Sequence, residues 1–77
     1  MKPLFIGNGV YIDSDMVFCI ISARNPQTKN LIAQAKEENK LFDFTAGKAR
    51  NSIILLKNGN VVVSTASSND IVVALEK

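Results

Sequence analysis

Two cations stand at i and i+2 in Gly47-Lys48-Ala49-Arg50, just ahead of an apolar segment. In an extended chain that spacing sends both side chains to one face, where Lys48 and Arg50 could grip a phosphate backbone. Lys29, at the start of a predicted helix, and Arg24 just before it add to the same surface if the helix lies beside this loop. A cation in a first helical turn opposes the dipole by a few tenths to about 1 kcal/mol, so Lys29 is either tolerated there or serves an anion arriving from outside. The plainer reading of Lys48 and Arg50 is a solvated polar loop that keeps a sheet edge from pairing with another chain.

Other chemistry has little support. The 77 residues contain no His and one Cys, which removes Ser/His and Cys/His nucleophile pairs, zinc fingers with Cys/His ligands and any internal disulfide framework. Gly7-Asn8-Gly9 matches neither a dinucleotide fingerprint nor a Walker loop. Asp13 and Asp15 lack the remaining ligands of a calcium loop and read as turn residues. No enzyme activity, cofactor or metal is expected. Cys19, inside Val17-Phe18-Cys19-Ile20-Ile21, reads as a buried structural thiol because no charged residue stands within two positions of it. The net charge of +2 is too small to indicate nucleic acid by itself, so any basic surface must come from placement.

A chain of 8.4 kDa has room for one core and is read as a single domain over 1–77. The first apolar run ends at Gly7, short of a signal-peptide core, and no stretch approaches the roughly 18 apolar residues that span a bilayer. A cytoplasmic protein with no membrane contact is expected.

The elements that must position the basic residues follow from pattern. Leu4 to Ile6 and Val10 to Ile12 flank the glycines as a bent strand, and Asp13-Ser14-Asp15 is a turn. Met16 to Ser22, apolar throughout, predicts a strand buried on both faces and central in its sheet. Asn25-Pro26 predicts an N-cap and first helical position, Thr28, Leu31, Ile32 and Ala35 form the buried stripe, and Asn39 is a left-handed stop. Leu41 to Thr45 alternates as a half-buried strand, with Phe42 and Phe44 on one face. Ser52 to Lys57 and Asn60 to Thr65 are strands joined at Asn58-Gly59, a strong hairpin signal. Ser67 to Asp70 offers caps for a short terminal helix with Ile71, Val72 and Leu75 on its buried side. The expected fold is α+β: a small antiparallel sheet of about five strands, one central helix and a short C-terminal helix.

The order of segments is similar to the RemA/YlzA family of bacterial extracellular-matrix regulatory proteins. The resemblance runs through Ile6-Gly7-Asn8-Gly9, Ile20-Ile21-Ser22, Lys29 with Leu31-Ile32 and Ala35, Lys40 to Lys48, and Asn60 to Ala66, covering nearly the whole chain. Its most specific part is Leu41 to Lys48, where the family shows Leu-Ile-Asp-Ala-Thr-x-Gly-Arg. The resemblance implies a LytTR-like fold and a transcriptional activator of biofilm-matrix genes that assembles into a ring and binds double-stranded DNA along an outer surface. Lys29 and Lys48 match family cations in charge. Asn30, Ala49, Asn51 and Met16 stand where the family has basic residues, with Arg50 and Arg24 nearby as partial substitutes.

Assembly also has a physical basis. With 47 % hydrophobic residues in so short a chain, some apolar surface must remain outside one core, and homo-oligomerisation is a common remedy at this size. The function expected is a ring-forming DNA-binding regulator using Lys48, Arg50, Lys29 and Arg24 as phosphate contacts. The alternative, motivated by the absent family cations, is an oligomeric protein-interaction or scaffolding paralogue that has lost DNA binding.

Overall fold

Asn58-Gly59 closes a hairpin in which β5 (Ser52–Leu56) and β6 (Val61–Ser64) pair antiparallel, Ile53 opposite Val63 and Leu55 opposite Val61. The computed structural model describes residues 2–77. Gly59 N–H donates to the Leu56 carbonyl at 3.0 Å, Leu56 N–H donates to the Asn60 carbonyl at 2.9 Å, and Gly59 alone in this turn has positive φ, at 90°. The connection is therefore a three-residue loop with glycine in the left-handed position, since a two-residue mirror-image turn would need positive φ at Asn58 as well.

The remaining strands are β1 (Pro3–Phe5), β2 (Tyr11–Asp13), β3 (Val17–Ser22) and β4 (Leu41–Asp43); the helices are α1 (Thr28–Glu37) and α2 (Ser68–Leu75). The fold is α+β, as expected. Its six strands form two sheets rather than one of about five: a β1-β2 hairpin and a four-stranded sheet in the order β3-β5-β6-β4. The larger sheet is mixed, because β3 and β5 are antiparallel while β4 runs parallel to β6. The reason lies in α1. A helix crossing one face carries the chain back to its starting end, so β4 repeats the direction of β3 and the β5-β6 hairpin fills the gap between them.

This arrangement corrects the expected central position of β3, which is an edge strand. An apolar run reports that both faces of a strand are covered, and β3 is partly covered on each; lateral neighbours leave no mark in that pattern. Cys19 is correspondingly half-buried rather than buried.

Alternation along β5 divides the core. Ile53 packs with Ala35 and Val61, joined by Ile21, Ile32, Leu41 and Leu55, on the face that α1 covers. Ile54 packs with Leu4, Ile6, Val62 and Ile71 on the face covered by the β1-β2 hairpin and α2. Thr28 and Ala35 are the buried members of the expected α1 stripe, and Asn39 is left-handed at φ 58° as predicted. The start of α1 differs. The Asn25 side chain accepts from Gln27 N–H at 2.8 Å and its carbonyl from Thr28 N–H at 3.0 Å, so Asn25 organises a turn and the helix begins only at Thr28, whose hydroxyl donates to the Ser22 carbonyl at 3.1 Å. In α2, Ser67 caps by accepting from Asp70 N–H at 3.1 Å. Ile71 is buried with Ala74 and Leu75 packed near it, while Val72 is exposed, contrary to expectation. Residues i, i+3 and i+4 share a stripe that i+1 does not join.

Candidate nucleic-acid interface

The basic loop is shaped by the residue that closes β4. Asp43 Oδ1 accepts from both the N–H and the hydroxyl of Thr45, at 3.0 and 2.5 Å, an Asx-type turn that competes with strand pairing and ends β4. Ala46 and Gly47 follow with φ of 52° and 83°, and Lys48 N–H donates back to the Thr45 carbonyl at 2.9 Å. Residues 45–48 thus form a turn where an extended chain was expected, and Lys48 and Arg50 bond different partners.

Lys48 Nζ donates to Asn8 Oδ1 at 3.3 Å, and Asn8 Nδ2 donates to the Phe44 carbonyl at 2.7 Å. Asn8 therefore fastens the tip of the β1-β2 hairpin to the basic loop. Arg50 Nη2 bonds Asp43 Oδ2 at 2.9 Å. It is the only ion pair among the described residues, and with half of the Arg50 side chain exposed it orients the guanidinium more than it stabilises the fold.

The hydrogen bonds from Thr45, with the Arg50 charge beside them, hold the Asp43 carboxyl below the usual carboxylate value. A folded-state value below the unfolded one adds stability that is present above the unfolded value of about 4 and is lost as pH falls through the lower folded value. Thr45→Val removes the leading hydroxyl contribution, so the Asp43 titration followed by carboxyl NMR moves upward toward the ordinary value. An unmoved midpoint would show that Thr45 does not set it.

Arg50 and Arg24, distant in sequence, line one cleft of about 530 Å³ together with Ser22, Asn51, Ser67 and Asn69. The pairing is built by the sheet: Ser22 ends β3 opposite Ser52, which begins β5, and Ala23 N–H donates to the Asn51 carbonyl at 3.1 Å. The segments carrying Arg24 and Arg50 are thereby drawn together. Arg24 N–H donates to Ser22 Oγ at 3.2 Å, which shapes its turn. Lys48 lies outside the cleft lining, against Asn8, and Lys29 projects from the first turn of α1, exposed and also outside it. Two of the four expected residues therefore converge, and two stand apart.

The residues missed by spacing are Asp43, Asn8, Ser67 and Asn69. Asp43 carried a local sign, the Asp-x-Thr turn pattern. Asn8, Ser67 and Asn69 reach the site through tertiary packing, for which the sequence has no short-range pattern. Chemically, two guanidiniums with amide and hydroxyl groups suit an anion with several acceptor oxygens. No helix among the described residues is long and apolar enough to cross a membrane.

Comparison with known proteins agrees with the resemblance in the sequence. The family model described as extracellular matrix regulatory protein A-like, RemA-like, matches residues 4–74. A protein of Finegoldia magna named "Putative regulatory protein" is 30% identical over 77 residues, covering 100% of this chain and 93% of its own length. One of the same name from Dictyoglomus turgidum is 30% identical over 76 residues, covering 99% and 89%. A Bacillus cytotoxicus relative is 31% identical over 64 residues, covering 83% and 74%. Matched from β1 to α2 by the family model and along its whole length by a relative, the chain belongs to the RemA-like family of regulatory proteins.

Proposed function

We propose that the protein is a cytoplasmic, non-enzymatic DNA-binding regulator of the biofilm-matrix activator type, which assembles into a ring and holds the duplex through backbone phosphates. The observation that carries the reading is the convergence of Arg24 and Arg50 on one cleft, with Lys48 on the adjoining loop. Guanidiniums match phosphate oxygens in geometry as well as charge, while Lys48 and Lys29 act as point charges. Two or three phosphates held per subunit give weak binding, yet identical sites on one curved surface raise avidity by roughly a hundred- to ten-thousand-fold when the duplex reaches them together. Recognition of this kind reads the backbone and the ease of bending more than base edges, and so favours flexible, phased sequence.

Fluorescence anisotropy with a labelled A·T-rich duplex of several helical turns, taken across a salt series, tests the reading. Binding falls steeply with salt, and Lys48→Glu weakens binding to all duplexes alike while reducing the slope of log affinity against log salt by about 0.9 for each phosphate that the protein no longer neutralises. An unchanged slope would remove Lys48 from the DNA-facing surface.

A second reading draws on a specific observation: Arg50 already has a carboxylate partner in Asp43, and four family cations are replaced in this sequence. On that reading the protein is an oligomeric scaffold without DNA affinity. An assembled protein that shows no salt-dependent binding even at low salt would favour it.

A further inference from the structure

The cleft shared by Arg24 and Arg50 encloses about 530 Å³, a volume typical of small-molecule sites. A duplex presents its phosphates on a convex surface and does not fill such a hollow. Three segments wall it, and each is held by bonds within the chain. Ser22, at the end of β3, accepts from Arg24 N–H and pairs with Ser52 at the start of β5. Asn51 Nδ2 donates to the Thr65 carbonyl at 2.6 Å and Ser52 Oγ donates to the Ala66 carbonyl at 2.7 Å, so the chain entering α2 is tied to the chain entering β5. Ser67, Ser68 and Asn69 thereby form the third wall. A site whose walls are already held loses little freedom when it is filled.

The lining selects the occupant. Arg50 spends Nη2 on Asp43 Oδ2, and a guanidinium has five N–H donors, so others remain for a ligand. Asp43 is itself gripped at Oδ1 by Thr45, which makes the tether firm. Arg24 is in no ion pair among the described residues, and no acid lines the cleft. Two guanidiniums that reach one hollow suit a phosphate group. The N–H groups of Ser68 and Asn69, in the first turn of α2, lie outside the helix's own ladder and add neutral donors. The rest of the lining is hydroxyl and amide, from Ser22, Asn51, Ser67, Ser68 and Asn69; Ala23 is its one apolar side chain and no aromatic ring borders it. A nucleobase finds no surface there on which to stack. A carbon skeleton bearing several hydroxyls finds donors and acceptors along each wall.

We propose that this cleft binds a small phosphorylated sugar or polyol, its phosphate on Arg24 and Arg50 and its hydroxyls on the serine and asparagine side chains. The same two arginines are assigned to the duplex backbone, so ligand and DNA compete for them, and apparent duplex affinity falls about twofold when the free ligand equals its own dissociation constant. This competition rests on the proposed function; the site itself does not.

Glucose-6-phosphate, inorganic phosphate, AMP and glucose, each titrated into isotope-labelled protein, test the site without DNA. Glucose-6-phosphate shifts the backbone amide signals of Arg24, Asn51, Ser68 and Asn69, and by calorimetry it binds about tenfold or more tightly than inorganic phosphate or AMP, while glucose does not bind. Arg24→Gln and Arg50→Gln each weaken binding about tenfold or more. Both side chains are exposed, so circular dichroism checks that each variant folds, and the shift map of the unaltered protein needs no variant. At matched ionic strength, glucose-6-phosphate also releases a labelled duplex. Amide shifts centred elsewhere, or no shifts, would overturn the site. Equal affinity for inorganic phosphate, or equal or tighter binding of AMP, would overturn the sugar or polyol as occupant. A duplex retained at saturating ligand would overturn the competition alone. A protein that binds glucose-6-phosphate and no duplex would overturn the DNA reading while supporting the site.

Discussion

Ile54→Ala costs the fold about 4 kcal/mol, within the roughly 2–5 kcal/mol range for truncating a buried Ile to Ala. Ile54 is fully buried in the middle of β5, where Leu4 and Ile6 come from the hairpin side, Ile71 from α2 and Val62 from the adjacent strand. The cavity left by the substitution borders three separate elements, and for it to collapse the hairpin and α2 would have to shift together. Residual volume therefore persists, and the penalty exceeds that of transfer alone. At roughly 0.05–0.15 kcal/mol per residue, a chain of this size has about 4–12 kcal/mol in total, so the variant is marginal or unfolded at 25 °C. Urea unfolding measures it through a lowered midpoint at unchanged slope. A loss below about 1 kcal/mol would mean that the two covering elements are not fixed on the sheet.

Gly7→Ala lowers stability by about 3 kcal/mol, for a different reason. Gly7 has φ of 90°, a conformation that costs an L side chain about 1–2 kcal/mol. A Cβ there would also lie 2.2 Å from Thr65 Oγ1 and 3.1 Å from the Ala66 nitrogen. Thr65 can turn its hydroxyl away, but the Ala66 nitrogen is main chain, and its N–H donates to Ser64 Oγ at 3.0 Å. Ser64 in turn donates to the Ile6 carbonyl, a buried bond that ties the hairpin to β6. Relieving the clash by moving the hairpin stretches that bond. Thermal melts register a fall of roughly 12–24 °C, taking 4–8 °C per kcal/mol for a domain of this size. Gly9→Ala is the internal comparison: its φ is 75° but no atom lies within 4 Å of the added carbon, so it loses only the conformational part. Thr65→Ala in the Gly7→Ala background recovers the side-chain share of the clash, and a double-mutant cycle isolates it. Equal losses at the two glycines would show that the close approach is not present in solution.

What could be read before folding was what neighbouring residues decide. The Thr28 to Ala35 stripe, the Asn39 stop, the Ser67 cap and the turn at Asn58-Gly59 each need only a few consecutive positions, and each appears in the fold. The edge position of β3 and the parallel pairing of β4 depend on which strands lie alongside, and the residues of a strand carry no record of that. The site divides in the same way. Lys48 and Arg50 stood out by type, yet the extended chain assumed for them is interrupted by the turn from Thr45 to Lys48, and they bond different partners. The meeting of Arg24 with Arg50 follows from the β3-β5 register, and that of Lys48 with Asn8 spans 40 positions. Both arise from tertiary pairing.

The insertion of the β5-β6 hairpin between β3 and β4 also sets an order of folding. β3 and β4 have no bond to each other, so the larger sheet has no continuous ladder until the hairpin is in place. That hairpin closes through one of the shortest loops in the chain, and such closure takes microseconds. The parallel β4 pairs with β6 across the intervening residues 44–60, a step with a larger loop-closure cost than the hairpin. In refolding, β3 and β4 therefore lack their sheet neighbours until the hairpin inserts between them. The larger sheet is complete only at that step, and the buried bond from Ser64 to the Ile6 carbonyl then ties the β1-β2 hairpin layer to it.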